Sequence, residues 1–441
     1  MKEKSFGLWS AVFLGIGSMV GAGIFIVIGQ AGAIAGNMVT FSFLVAGIIA
    51  ILCGYSLSKL AITYRSRGGI IEYLTQSYGE GFFSGSLGVL FYLAQLVALA
   101  AVAKSFGTYA NTYLGTVTPF WTNIFSLGVL ALFVGINLLG ASFIAKSENI
   151  IVIIKLSALT IFTIAGLMFI HPQNLSFSNA PNTINIFFAL GLTFFAFQGF
   201  SVITNSVEDM QNPEKNMIKS MIISILLVAV LYISVSIAVF GNLSLEEVIK
   251  TKDFALAEAA KPIFGNLGFQ IISATALFAT ASAINATLYA VTQISYTLAK
   301  EGHLPKTYER QIFNNTEGLI ISALLIIPMI IFFNLGEIAT IAAVIVLLIQ
   351  GFTHIGHLFV IKKTNANLFL IILAIIGTFL AAGFAIYYTQ KQIPHFGFHI
   401  VAGFILAFLL EVGLRLFTDR TIEKQVIEEI EEIETKIKDE L

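Results

Sequence analysis

The stretch Gly15-Ile16-Gly17-Ser18-Met19-Val20-Gly21-Ala22-Gly23-Ile24-Phe25 decides how the rest of the sequence is interpreted. It lies midway along an apolar run, about residues 6–34, that is long enough to cross a bilayer, yet it holds four glycines within nine residues. Each glycine weakens a helix interior by roughly 1 kcal/mol relative to alanine. In hydrocarbon, irregular backbone survives only where protein or a water-filled cavity surrounds it. The stretch therefore predicts a binding site at membrane depth, and close helix packing through Gly17-x-x-x-Gly21 is the alternative.

The composition excludes a soluble domain. Of the 441 residues, 57% are hydrophobic and 11% charged, and the mean hydropathy is +0.89. Apolar runs of about 20 residues predict helical spans rather than the shorter, alternating strands of a barrel. The net charge of −1 does not indicate nucleic-acid binding, and the single cysteine, Cys53, cannot form a disulfide framework. No metalloprotease, P-loop or nucleophile-elbow pattern is present, so neither an enzyme nor a cofactor or metal is expected.

Apolar runs bounded by charges, glycine, proline and asparagine predict about twelve spans, at roughly 7–33, 38–62, 82–110, 123–144, 150–170, 184–206, 217–241, 265–298, 318–334, 337–361, 367–389 and 397–417. An even number places both termini on one side. That side receives thirteen basic residues before the C-terminal tail is counted: Lys2, Lys4, Lys59, Arg65, Arg67, Lys146, Lys215, Lys219, Lys300, Lys306, Arg310, Lys362 and Lys363. The other side receives four: Lys250, Lys252, Lys261 and Lys391. The positive-inside rule therefore predicts cytoplasmic termini.

Three segments outside the spans are predicted to form helices that do not cross the membrane. Residues 65–81 and 242–265 are predicted to form short surface helices, and the second segment is a candidate cap over a vestibule. Residues 418–441 carry isoleucines and a valine on one helical face and an excess of acids, which predicts a cytoplasmic amphipathic tail.

A second weak point falls in the sixth span, at Thr193-Phe194-Phe195-Ala196-Phe197-Gln198-Gly199-Phe200-Ser201. The two interrupted spans lie five apart. Because five is odd, a second five-helix unit would enter the membrane upside down, which is the inverted-repeat arrangement of many secondary transporters. Paired interruptions predict a site at the membrane midplane.

Two lysines lie within predicted spans. Lys155 stands in the fifth span, about 10 Å from its start at 1.5 Å per residue. A lysine at the centre of a span costs roughly 2.5 to 3.5 kcal/mol on insertion scales, so it needs a reason to be there. Lys155 is interpreted as a proton carrier, with a lysine that snorkels to the interface as the alternative. Lys104, near the end of the third span, is interpreted as an interfacial snorkelling residue.

Three motifs, taken together, resemble a known superfamily. They are Gly17-Ser18-Met19-Val20-Gly21-Ala22-Gly23-Ile24-Phe25 in span one, Val207-Glu208-Asp209-Met210-Gln211-Asn212-Pro213-Glu214-Lys215-Asn216 after span six, and Asn285-Ala286-Thr287-Leu288-Tyr289 with Leu298-Ala299-Lys300-Glu301-Gly302-His303-Leu304-Pro305 in and after span eight. The chain resembles the amino acid-polyamine-organocation (APC) superfamily over nearly its whole length, and is most similar to the ApcT-type proton-coupled amino acid transporters.

The resemblance implies a LeuT-type fold, an all-α polytopic membrane protein with two inverted five-helix repeats plus two peripheral helices. A transmembrane domain would cover residues 1–417, with repeat one at about 7–170, repeat two at about 184–361 and the peripheral helices at about 367–417. The cytoplasmic tail would follow at 418–441.

The resemblance also implies the site residues. The carboxylate of an amino acid would be held by the backbone N–H groups of Gly21, Ala22 and Gly23, and its ammonium by carbonyls at Met19, Phe195 and Gln198. The substrate side chain would meet the rings of Phe195 and Phe197. Lys155 falls where sodium binds in sodium-coupled relatives, so it is the expected proton carrier and sodium coupling is disfavoured.

The expected function is proton-coupled uptake of an amino acid across the cytoplasmic membrane by alternating access. The expected partners are the amino acid, the proton and the lipid bilayer. A proton-independent exchanger and an amino acid receptor that no longer transports remain alternatives. An ion channel is disfavoured because the sequence has no filter-like repeat or ring of charged residues.

Overall fold

The computed structural model describes residues 6–66, 68–139, 142–176 and 181–418. Eighteen α-helices make up most of these residues: Leu8–Met19 (α1), Ala22–Ala35 (α2), Val39–Tyr64 (α3), Gly69–Tyr78 (α4), Phe82–Asn111 (α5), Pro119–Leu139 (α6), Ser142–Met168 (α7), Asn185–Phe188 (α8), Leu190–Phe197 (α9), Pro213–Asn242 (α10), Leu245–Lys250 (α11), Ala255–Glu258 (α12), Lys261–Lys300 (α13), Glu317–Phe332 (α14), Leu335–Phe359 (α15), Ile361–Thr364 (α16), Leu368–Gln392 (α17) and Phe396–Thr418 (α18).

Short elements join some of these helices. The 3-10 helices are Gly36–Met38, Thr112–Leu114, Pro172–Leu175, Gln198–Ser206 and Lys306–Glu309. The strands Gln311–Ile312 (β1) and Asn315–Thr316 (β2) pair as an antiparallel hairpin between α13 and α14. Beyond Thr418, the predicted C-terminal tail lies outside the described residues.

The helices confirm a polytopic all-α membrane fold. Within the described part of the chain, nine segments are long and apolar enough to cross a membrane, and α1 and α14 are shorter apolar helices. The twelve predicted spans coincide, in order, with α1 plus α2, α3, α5, α6, α7, α8 plus α9, α10, α13, α14, α15, α17 and α18. The two predicted surface helices are also present, as α4 and as α11 with α12.

Span one is interrupted where the glycines predict it. Helix α1 ends at Met19, and Val20 (ψ 59°) and Gly21 (ψ −133°) leave the helical conformation before α2 begins at Ala22. The N–H groups of Val20 and Gly21 still donate hydrogen bonds, to the carbonyls of Ile16 and Met19, both at 2.8 Å. The interruption therefore leaves the last carbonyls of α1 and the first N–H groups of α2 without intrahelical partners. The N–H groups of Val20 and Gly21 themselves stay hydrogen-bonded.

Span six differs from the expectation of a second break. Helix α9 ends at Phe197, and the chain continues without a gap as the 3-10 helix Gln198–Ser206. The N–H of Gln198 donates to the carbonyl of Phe195, a three-residue step that keeps the backbone bonded while tightening the turn. The polar and glycine residues at this point change the helix type rather than unwinding the chain.

The packing partners repeat between the two halves of the chain. Helix α3 (span two) packs on α9 (span six), and α10 (span seven) packs on α1 (span one), so both contacts join the two halves. Likewise α7 (span five) packs on α13 (span eight), as α15 (span ten) packs on α5 (span three). Exchanging each span with the one five positions later converts each contact into its counterpart, as two inverted five-helix repeats require. Helices α17 and α18 pack outside this set, on α15, α3 and α5.

The helices of eight spans form two groups, and within each group the helices contact one another. The bundle consists of spans one, two, six and seven, whose helices α1, α2, α3, α9 and α10 contact one another. The scaffold consists of spans three, four, eight and nine, whose helices α5, α6, α13 and α14 do the same.

Close packing of the scaffold gives a direct test of the helix arrangement. A Cβ at Gly107 in α5 would overlap the Thr122 carbonyl and the Ser126 hydroxyl of α6, whereas a Cβ at Gly128 in α6 would meet nothing within 4 Å. We expect Gly107→Ala to lower the free energy of unfolding by about 1–3 kcal/mol through overpacking. Gly128→Ala is the matched control and should cause no loss. Thermal unfolding in detergent measures both, and equal stability of the two variants would contradict the α5–α6 contact.

Candidate functional site

The start of α2 is a buried helix N-terminus that no side chain caps. Its cap residue is Gly21, no side-chain hydrogen bond to the cap is present, and the first turn holds no acidic residue. The N–H groups of Ala22, Gly23 and Ile24 have no partner within the helix because they belong to its first turn. A helix N-terminus also carries roughly half a positive charge. Buried donors with that charge are groups that can bind an anion.

The predicted carboxylate donors are only partly free in this conformation. The N–H of Gly21 already donates to the carbonyl of Met19 at 2.8 Å, whereas Ala22 and Gly23 belong to the first turn of α2. Gly23 is partly exposed although it lies midway through the span. Ala22 and Gly23 are therefore the donors that an anion would meet first.

The carbonyls at the end of α1 differ in availability. The carbonyl of Met19 accepts two hydrogen bonds, from the Tyr232 hydroxyl at 2.7 Å and from Gly21, so both of its lone pairs are used. The carbonyl of Ser18 lies beside both Gly21 and Gly199, between spans one and six. Met19 was expected to hold a substrate ammonium, but in this conformation Ser18 offers the adjacent acceptor. Nothing in the sequence distinguishes these two neighbouring carbonyls as acceptors.

Tyr232 of α10 ties the two spans together. Its buried hydroxyl lies 2.7 Å from the carbonyl of Met19 and 3.2 Å from that of Ala196. A hydroxyl has one proton and donates it to one carbonyl at a time. Both carbonyls lie within reach of this hydroxyl, so the ends of α1 and α9 are held next to the same group. Tyr232 was not among the predicted site residues, because it is one of several hydroxyl side chains in span seven.

Glycines allow the backbones of spans one and six to touch. A Cβ at Gly199 would overlap the backbone of Ser18, and one at Gly23 would lie 3.0 Å from the Cα of Ala196. By contrast, a Cβ at Gly21 would meet only the Ser18 carbonyl at 3.5 Å and Ala283 of span eight at 3.8 Å. Close packing therefore accounts for Gly23 and Gly199, whereas in the predicted packing pair Gly17-x-x-x-Gly21 the second glycine faces more open space beside the scaffold.

The two predicted aromatic residues lie on different sides of span six. Phe195 shares a helical face with Gln198 and Gly199, three and four residues later, and Gly199 contacts span one. Phe197 is fully buried, with its ring centroid 6.5 Å from Phe43 and 5.2 Å from Tyr232. Phe197 was expected to meet a substrate, whereas in this conformation its ring, two residues after Phe195, packs into the bundle.

Lys155 points inward, to the end of α1. Its side chain is 2% exposed, and its Nζ donates to the carbonyl of Gly17 at 2.8 Å. Gly17 makes this approach possible, because a Cβ there would lie 3.2 Å from Val152, one turn before the lysine. A helix C-terminus carries partial negative charge, which favours an ammonium at this place. The snorkelling alternative is wrong for Lys155 in this structure.

The snorkelling interpretation is also wrong for Lys104. This side chain is 7% exposed, and its Nζ donates at 2.6 Å to both the Asn123 side chain of α6 and the carbonyl of Ile330 in α14. Lys104 thus joins three scaffold helices.

An apolar crevice lies away from the interruption of span one. It has a volume of about 580 Å³ between α5, α14, α15 and α18, and its lining is almost entirely aliphatic and aromatic. A charged amino acid would lose its hydration there without gaining polar partners. The polar helix ends between spans one and six are the better candidate for such a ligand.

Comparison with known proteins identifies the family of the chain. The sequence profile of the family described as amino acid permease matches residues 6–414. The chain is 35% identical to an uncharacterised protein of Methanocaldococcus jannaschii, over 96% of this chain and 98% of that protein. It is 36% identical to the inner membrane transport protein YbaT of Escherichia coli, over 77% and 80% of the two chains. It is 26% identical to the serine/threonine exchanger SteT of Bacillus subtilis, over 69% and 70%. The chain therefore belongs to the amino acid permease family of the APC superfamily of membrane transporters.

Proposed function

We propose that this protein is a proton-coupled amino acid symporter of the cytoplasmic membrane that works by alternating access. One observation carries the proposal: an uncapped helix N-terminus at Ala22 lies next to the carbonyl end of α1, and Lys155 binds that same end at Gly17. The site thus offers a positive and a negative helix end side by side, together with an ionisable group.

These two helix ends match the charges of an amino acid zwitterion. Its carboxylate would accept hydrogen bonds from the N–H groups of Ala22 and Gly23, with Gly21 joining if it releases Met19. Its ammonium would lie against the carbonyl of Ser18 and, across the gap, those of Phe195 and Gln198. The fixed dipoles of both helix ends favour this orientation over the reverse.

The class of substrate is supported by relatives whose names record amino acids. One is the serine/threonine exchanger SteT, and another is the branched-chain amino acid permease BcaP of Bacillus subtilis, 24% identical to this chain. The substrate side chain would meet Phe195, whose ring shares the face of span six that contacts span one. Phe197 acts only indirectly, by packing behind that face.

Lys155 would couple proton binding to the position of α1. A protonated Nζ donates to the Gly17 carbonyl and keeps α1 against α7, which stabilises the site in the form seen here. Loss of the proton removes the charge from that hydrogen bond, and charge-assisted bonds are roughly twice as strong as neutral ones. Deprotonation toward the cytoplasm would then weaken the hold on α1 and release the substrate. The excess of basic residues on the side of the N-terminus supports cytoplasmic termini.

A proton-independent exchanger is the second candidate. The exchange recorded in the name of SteT favours it. In that case Lys155 would be a fixed positive charge that replaces a cation, and uptake would not respond to a pH gradient.

The carboxylate cradle predicts which ligands stabilise the protein. An amino acid at a hundred times its Kd should raise the free energy of unfolding by about 2.7 kcal/mol. The carboxamide of the same amino acid has no carboxylate and should give a much smaller shift. Thermal unfolding of the purified protein with the common amino acids, followed by the carboxamide of each stabilising one, measures this. Equal stabilisation by acid and carboxamide would contradict an anion site at α2.

The proton role predicts the behaviour of Lys155→Ala in proteoliposomes. Uptake driven by an inward proton gradient should fall to background, because the variant cannot carry the proton. Counterflow of substrate without a gradient should persist, and this readout separates lost coupling from lost folding. Lys261→Ala, which removes an exposed lysine paired with Glu258 at 2.8 Å, is the control. Normal gradient-driven uptake by Lys155→Ala would remove the proton role.

The tie between spans one and six predicts the effect of Tyr232→Phe. Loss of one buried hydroxyl hydrogen bond should cost about 1 kcal/mol of stability. Tyr92→Phe removes a similar buried bond, to Ser322 at 2.8 Å within the scaffold, and is the matched control. We expect similar losses of stability in both variants but weaker substrate binding only in Tyr232→Phe. Unchanged binding in that variant would show that the hydroxyl does not position the site.

A further inference from the structure

A polar cluster at the membrane face opposite the N-terminus has no role in the function proposed above. Its centre is Asp253, in the segment of residues 243–260 that holds α11 and α12 and is here named the loop cap. The Asp253 carboxylate accepts a short hydrogen bond from the Gln30 side chain of α2. The loop cap is pressed closely onto this helix, since a Cβ at Gly29 would overlap the carbonyl of Lys252.

The loop cap lies close to the candidate site along α2. Gly29 lies seven residues after Ala22, so at 1.5 Å per residue the contact is about 10 Å from the start of α2. The same Gln30 side chain reaches the first turn of α15, because a Cβ at Gly336 would lie 2.5 Å from its oxygen. Gln30 therefore joins the bundle, the loop cap and span ten at one point above the site.

The scaffold presents a fixed positive charge to this cluster. Lys104 is held by Asn123 and Ile330, and its charge attracts both Asp253 and Glu337. Lys252, the residue before Asp253, adds a second positive charge. Tyr109 of α5 is a further neighbour, and its hydroxyl donates to the carbonyl of Phe25 at 3.2 Å. Lys104, Lys252 and Tyr109 are thus titratable neighbours of the carboxyl.

The seated loop cap favours the protonated form of Asp253. Burial raises the pKa of its carboxyl above the ordinary value, and the Gln30 hydrogen bond, Lys252 and Lys104 offset this effect only in part. Lifting the loop cap would hydrate the carboxyl and return its pKa toward the ordinary value. The seated state thus binds a proton more tightly than the lifted state. By linkage, its extra stability is present at acid pH and is lost as the pH rises through the pKa of the seated state.

We propose that Asp253 is a second proton-binding site, and that its protonation stabilises the loop cap in the seated position over the candidate site. One part of the proposal rests on the proposed function, namely the side of the membrane that Asp253 faces. With cytoplasmic termini Asp253 would face the outside, so an acidic exterior would favour the seated position. The seating equilibrium itself requires neither transport nor Lys155.

Distances between two spin labels test the proposal without a gradient or a substrate. In a Cys53→Ala background, Ile249→Cys on the loop cap and Phe120→Cys at the start of α6 provide exposed labelling sites. Pulsed electron paramagnetic resonance measures the distance between the two labels and so gives the ratio of seated to lifted molecules between about pH 4.5 and 8. Each unit of difference between the pKa values of the two states changes this ratio by up to about tenfold, and the seated fraction should be larger at acid pH.

Variants locate the response on Asp253. Asp253→Asn should keep the acid-like ratio at every pH, because the amide cannot ionise. Gln30→Ala should increase the lifted fraction throughout, which provides a second test if the first variant folds poorly. Glu246→Gln changes an exposed acid on the same loop cap and should respond as the wild type does.

Two results would overturn the proposal. One is a wild-type ratio that does not change with pH, and the other is a full pH response in Asp253→Asn. Lys155→Ala should retain the distance response. A wild-type protein that shows the distance response but no proton-driven uptake would therefore count against the proposed function, but not against the role of Asp253.

Discussion

A helix that ends inside a membrane leaves backbone groups that must find partners, and this constraint governs the centre of the protein. In span one the constraint acts at both helix ends. The carbonyl end of α1 is met by Lys155 at Gly17 and by Tyr232 at Met19. The N–H end of α2 has no side-chain cap. Because an unsatisfied polar group in hydrocarbon costs several kcal/mol, the unmatched end is the place where a charged ligand gains most.

Glycines and one buried lysine make this arrangement possible. Gly23 and Gly199 let spans one and six approach backbone to backbone, and Gly17 lets α7 come close enough for its lysine to reach α1. Lys155 and Tyr232 both act on the last turn of α1, from different spans. A change in the charge of Lys155 therefore acts on the same short segment that would contact the substrate. The last turn of α1 is therefore sufficient to couple proton binding at Lys155 to substrate binding, as proposed.

Some of this could be predicted from the sequence, because hydropathy and glycine content act locally. The span boundaries and the interruption at Gly21 follow from composition and position, whereas position alone left both an inward and a snorkelling Lys155 open. The 3-10 helix of span six did not follow from them, since a glycine beside a glutamine is equally compatible with unwinding and with a tighter helix. The inward turn of Phe197, the double use of the Met19 carbonyl and the contacts of Lys104 depend on which helices become neighbours. Several of those contacts join residues more than a hundred positions apart, such as Met19 with Tyr232 and Lys104 with Ile330.

The position of a bound amino acid tests the central claim most directly. A structure of the protein with a stabilising amino acid should show a carboxylate oxygen at hydrogen-bond distance, about 2.7–3.2 Å, from the backbone nitrogens of Ala22 and Gly23. The ammonium should lie against the carbonyl of Ser18, with Lys155 still bound to Gly17. An amino acid bound elsewhere, or one bound with its ammonium toward α2, would contradict the account of the interrupted first span as the substrate site.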